Sequence, residues 1–133
     1  MKGLWYPLMK LHEQHQPQLN LIRRYGNGAI VVEDREIFAP CVVAPGILHT
    51  HWIDTPAALT LDSLSLLWPL EPRILLLGSD MRPPGLREIR LQLAARDISL
   101  ESMDLGAACR TYNVLATEDR PVAALLFPGK VQP

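Results

Sequence analysis

The sequence predicts a single α/β domain in which two main helices cover a mixed β-sheet. Three observations carry the prediction. Short β-branched runs crowd the stretch from Leu21 to Ala44, a continuous apolar run Ile74-Leu-Leu-Leu77 stops at Gly78, and strand-like and helix-like periods alternate from there to Phe127. A chain of 133 residues suits one hydrophobic core, because single domains hold roughly 100 to 200 residues.

Residues 1–20 mix polarities, and His12, Gln14, His15, Gln16 and Pro17 interrupt any period, so an irregular amino-terminal segment is expected. The domain then runs over 21–128 and leaves 129–133 as a tail. Ala29-Ile-Val-Val32, Ile37-Phe38 and Cys41-Val-Val-Ala44 are separated by the turn-like Gly26-Asn-Gly28 and Glu33-Asp-Arg35, the pattern of an antiparallel meander. Pro45-Gly46 closes that part. Between His49 and Leu70 the residues Trp52, Pro56, Leu64, Leu67 and Trp68 fit neither period, and a short helix over 62–67 is expected, with Asp62 as its N-cap. The run ending at Gly78 reads as a central strand buried on both faces. Pro83-Pro84 suits a helix start, with Leu86, Ile89, Leu93 and Ala94 following at helical spacing. Residues 98–103 alternate as a strand. Asp104 caps a second helix that runs to about Thr117 and buries Ala108, Tyr112 and Leu115, and residues 121–127 form the last strand.

The charge balance, 13 basic against 14 acidic residues, gives no overall pull toward phosphate backbones or anionic lipid. Arg23-Arg24 is the sole basic pair, which falls short of a nucleic-acid stripe. Cys41 and Cys109 allow one bridge at most, so a reducing compartment is the simpler expectation. The apolar run from Trp5 to Met9 ends at Lys10, short of a signal-peptide core, and no run approaches the roughly 20 residues of a membrane helix. These features predict a soluble cytoplasmic protein, mitochondrial if its source is eukaryotic, and not an integral membrane protein.

One pocket stands out in the sequence. It would combine the Gly78-Ser79-Asp80 turn with the helix around Cys109, Arg110 and Thr111, because ligands of α/β sheets gather beyond the carboxyl ends of strands. Arg110 would clamp an anion bidentately, with Ser79 as an accessory donor. On the plainer reading, the turn only caps a strand and Arg110 ties its helix to a neighbouring carboxylate or carbonyl. Cys109 has no histidine within local reach to activate it, and Cys41 sits in an apolar run, so both thiols read as small core residues. His49-Thr-His51 and His12-x-x-His15 each supply two imidazoles where a structural zinc needs four ligands; no metal or other cofactor is expected. Phosphate-loop, nucleophile-elbow and dinucleotide-binding signatures do not occur. Trp52, Trp68 and Tyr112 read either as partner anchors or as core.

The residues Glu101-Ser-Met-Asp-Leu-Gly-Ala-Ala-Cys-Arg-Thr-Tyr-Asn-Val-Leu115, with Tyr25-Gly-Asn-Gly28, Pro45, Trp52 and the glycine turn at Gly78, resemble the family known as domain of unknown function 498. The resemblance covers about Leu21 to Phe127. It implies a compact three-layer α/β domain with a mixed, mainly antiparallel sheet. Mitochondrial members of that family assist assembly of respiratory complex I (NADH:ubiquinone oxidoreductase), and another is associated with adipogenesis. The resemblance therefore implies a non-enzymatic interaction or assembly module whose partner is a protein, with respiratory complex subunits in view. The alternative is a small anionic-ligand-binding protein or enzyme using the Ser79, Cys109 and Arg110 region. The chain departs from the family's usual Gly-Thr-Gly turn: Asp80 replaces the second glycine and sets a carboxylate beside any anion site. A monomer or weak dimer is expected, through open strand edges.

Overall fold

A computed structural model describes residues 19–81, 83 and 85–129. Residues 1–18 of the irregular segment expected over 1–20, His12-x-x-His15, Pro84 and nearly all of the expected tail lie outside the described residues. Within them, eight strands and two α-helices follow in order: β1 Ile22–Gly26, β2 Ala29–Val32, β3 Arg35–Ile37, β4 Cys41–Ala44, β5 Ile47–His49, β6 Ile74–Gly78, α1 Leu86–Ala94, β7 Ser99–Met103, α2 Leu105–Thr117 and β8 Val122–Leu126. Two 3-10 segments, Pro56–Ala58 and Asp62–Leu70, lie between β5 and β6. The α/β class, the two main helices and the mixed, mainly antiparallel pairing hold.

The meander divides between two sheets. Strands β1, β2 and β3 form an antiparallel three-stranded sheet, and β5-β4-β8-β6-β7 form the larger one, in which β6 runs parallel to both β8 and β7. The first hairpin turns through Asn27 and Gly28, with φ of 49° and 81°, the positive pair a two-residue hairpin requires. Pro45-Gly46 does not close the meander as expected; it turns the chain into β5, where Ala44 pairs with Ile47.

The large sheet separates two cores with a period of two. Cys41, Val43, Leu76, Val122, Ala124 and Leu126 face the side covered by α2 and the three-stranded sheet. Val42, Ala44, Leu75, Leu77, Ala123 and Leu125 face the opposite side, covered by α1 and the 3-10 segments. The result is three layers, with β6 buried between them as its unbroken apolar run requires.

Several local expectations are corrected. Asp62 caps nothing: Thr60 and Ser63 cap each other instead, Ser63 N–H donating to Thr60 Oγ1 at 3.1 Å and Thr60 N–H to Ser63 Oγ at 3.0 Å. A hydroxyl pair three residues apart serves both amides, which one carboxylate at 62 does not. Ala94 is exposed because α1 buries only Ile89 and Leu93 fully, and on α2 Leu115 is partly buried while Ala116 takes the inner position. Asp104 does cap α2, its Oδ1 accepting from Ala107 N–H at 2.8 Å.

Candidate functional site

Helix α2 joins the two sheets, and each residue of Gly106-Ala-Ala-Cys-Arg-Thr-Tyr-Asn113 that makes a specific contact does so on one side or the other. On its inner side Ala108 lies against Gly78 at the end of β6. A Cβ placed on Gly78 would stand 2.6 Å from Ala108 Cβ and 3.0 Å from Leu126 Cδ2. Only a glycine lets the helix sit this close to the sheet. Ser79 continues from there, its N–H donating to Met103 O at 3.1 Å and its Oγ accepting from Met81 N–H at 3.0 Å, so its hydroxyl shapes the turn.

Cys109 is buried on the same inner side, and burial pushes its thiol up to about 12 against the opposing pull of Arg110. Cys41 on β4 is likewise raised to about 12, by burial first and then by the charge Cys109 would carry. Both are free thiols that stay protonated at neutral pH. Cys109 is therefore a packing residue.

Along the side facing β1, Gly106, Arg110 and Asn113 form a stripe at i, i+4 and i+7. Gly106 seats the ring of Tyr25, whose Cε1 would lie 2.8 Å from an added Cβ. Arg110 donates to the Tyr25 hydroxyl, with its guanidinium carbon 5.9 Å from the ring centroid. Asn113 accepts from Ile22 N–H at 2.9 Å and donates to Ile22 O at 2.8 Å. Its amide thus pairs with the outer edge of β1 as a neighbouring strand would. Tyr112 fastens the same margin from the core, donating from its hydroxyl to Asn20 O at 2.7 Å. Burial, and secondarily the charge of Glu33, holds that phenol well above its ordinary range. Glu33 accepts from Leu21 N–H at 2.8 Å and pairs with Arg23 at 3.1 Å; the amide first and the guanidinium second keep its carboxyl below the usual range.

The five sequence-selected residues therefore divide. Gly78 and Cys109 lie on the buried side, Ser79 in the turn below, and Arg110 is exposed on the far side of the helix, two positions from Ala108 and so about 200° around it. Thr111 is partly exposed between them. Tyr25, Gly106 and Asn113 are not among the residues that the sequence marks for a site. Their signal lay in the stripe spacing, and Tyr25 is the residue that opens the other quoted motif. Trp52 and Trp68 are tied to their own fold: Trp52 Nε1 donates to Ser63 O at 2.9 Å, and Arg96 stacks over Trp68 at 4.2 Å. Among the described residues no group of three or more His, Cys, Asp or Glu side chains could hold a metal ion.

A family model described as "Protein of unknown function (DUF498/DUF598)" matches residues 22–127, which include both α2 and β1, the two sides of the seam that Tyr25, Gly106, Arg110 and Asn113 form. The chain belongs to this family. Its DUF498 relatives include proteins named NADH dehydrogenase [ubiquinone] 1 alpha subcomplex assembly factor 3, from Danio rerio, 33% identical over 81% of this chain and 64% of that one, and from Bos taurus, 31% identical over 90% and 67%. The chain thus spans about two thirds of the length of these relatives. Similar solved structures are one described as an outer membrane protein from Bartonella henselae (34% identical, TM-score 0.70, covering 86% of this chain and 98% of that one) and a Bordetella pertussis protein described as a Mth938-like domain (27%, TM-score 0.67, 84% and 88%). Among the described residues no helix is long and apolar enough to cross a membrane.

Proposed function

We propose that this chain is a non-enzymatic protein-interaction module that serves the assembly of a respiratory complex, with the solvent side of the α2–β1 seam as its contact face. The observation that carries the reading is the 31% identity, over 90% of the chain, to a protein named as a complex I assembly factor. The exposed side chains of the seam support this choice of face. Tyr25 is 41% exposed and Val114, one turn beyond Arg110 on α2, is 54% exposed, so an aromatic ring, a guanidinium and an aliphatic side chain share one surface. Aromatic and arginine side chains of this kind are the usual anchors of protein interfaces. On this reading Arg110 and Thr111 are contact residues, while Gly78, Ser79 and Cys109 hold the helix beneath them.

The test is gentle crosslinking of the tagged protein at native level in its own cells, followed by mass spectrometry, beside Arg110→Ala and Val114→Asp variants. Respiratory complex subunits should be recovered with the unchanged chain and lost with either variant while the melting temperature stays within a few degrees. A partnerless protein, or equal recovery from all three, would refute the assignment.

A further inference from the structure

Among the described residues, strand β7 is an outer strand of the large sheet. Ser99 N–H donates to Arg73 O at 2.9 Å and Met103 O accepts from Ser79 N–H at 3.1 Å, so Ser99, Glu101 and Met103 direct their backbone groups toward β6. Strand alternation then turns the N–H and C=O of Leu100 and Ser102 to the open side. One of these four groups is covered: Arg90 on α1 donates from Nε to Leu100 O at 3.0 Å. Beside this edge lies a cleft of about 410 Å³, walled on one side by Arg90 and Ala94 of α1 and on the other by Ser99, Leu100 and Glu101, with Arg73, Asp97 and Ile98 completing it. A helix wall beside an open strand edge is the geometry in which an extended peptide adds a strand to a sheet.

We infer that this cleft binds an extended acidic segment of a partner protein as a sixth strand beside β7. The acidity follows from the arginines. An incoming strand that bonds to Leu100 O displaces Arg90, whose exposed guanidinium is then free to take a carboxylate of the new strand bidentately. Arg73 stands close by, its nearest carboxylate, that of Asp97, 3.9 Å away and 90% exposed, so it is open to a second acidic side chain. A second copy of the chain fits the edge less well, because an antiparallel two-fold pairing centred on β7 sets Glu101 opposite Glu101. The inference is independent of the assembly reading, since it uses a different face and stands or falls without the seam.

The probe is a pool of amidated heptapeptides in which glutamate alternates with valine, threonine or isoleucine, titrated into isotope-labelled protein and followed by amide NMR and hydrogen exchange. The Leu100 and Ser102 amides should shift and exchange at least tenfold more slowly, and a lysine-for-glutamate pool should leave them unchanged. Ser102→Pro deletes an outward N–H while sparing the ladder to β6, and should abolish the response. Arg90→Glu is the second variant: it should transfer the response to the lysine pool. Absence of shifts at these two amides, equal response to both pools, or an acidic preference that survives Arg90→Glu would overturn the proposal. So would a concentration-dependent dimer whose interface protects the same amides, since the occupant would then be a second copy.

Discussion

The contact between Gly78 and Ala108 sets a measurable limit on how far α2 can stand from the sheet. In Gly78→Ala the new methyl would lie 2.6 Å from Ala108 Cβ, about 1 Å inside the roughly 3.5–4.0 Å optimum for two carbons, and the neighbour is fixed to a helix backbone, where no rotamer change relieves it. The helix must move outward by about 1 Å over β6 and β8, and overpacking of this kind costs roughly 1–3 kcal/mol, here near the upper figure. Replacing a strand glycine by alanine returns about 0.5–1 kcal/mol, which leaves a net loss of about 2 kcal/mol. Ala108→Gly alone should cost about 2 kcal/mol as well, from the helix propensity of glycine and one buried methyl. In the double variant the clash is gone while the strand alanine still returns its share, so the loss should fall to about 1–1.5 kcal/mol rather than reach the additive 4 or so, a coupling of about 3 kcal/mol, at the upper end of what contacting residues show. Urea denaturation of the four proteins measures this directly, provided the slope is unchanged. Additive losses, or a Gly78→Ala protein within about 0.5 kcal/mol of the unchanged chain, would show that the helix does not rest on this glycine.

Asn113→Ala removes both partners of Ile22 and should cost about 2 kcal/mol, with faster exchange of the Ile22 amide; unchanged exchange there would mean that β1 holds its edge without the helix. The two thiols give a pH dependence. In the unfolded chain they titrate near 9.0 and in the folded chain near 12, so above about 9 the unfolded state binds fewer protons and the fold loses stability as pH rises toward 12. Urea midpoints should therefore fall between about pH 8 and pH 10, and Cys41→Ala should flatten the fall; an identical slope in that variant would place its source elsewhere.

Where one element's pattern dictates its own structure, the sequence was legible. Strands β2 and β4 occupy the β-branched runs residue for residue, β6 stops at the expected glycine, and α2 begins at the expected Asp104 cap. The three-residue strand β5 is too short to show a period, and its pairing rests on the Pro45-Gly46 turn. The division into two sheets depends on the chain leaving one sheet after Ile37 and entering the other at Cys41, which no local pattern announces. The seam was legible in pieces only. Gly106, Arg110 and Asn113 share a helical stripe, but their partners Tyr25 and Ile22 lie more than 80 residues away in sequence, and tertiary packing alone brings them together.

The pairing of β4 with β8, Val43 opposite Ala124, imposes an order on synthesis. Strand β4 leaves the ribosome more than 80 residues before its partner exists, and at about 5–20 residues per second it spends roughly 4–16 s with Val42 and Val43 unsheltered. The small sheet waits equally long for the helix that closes its margin. A newly made chain therefore holds two incomplete sheets at once, and both are completed by the final third of translation, with α2 and β8 arriving almost together.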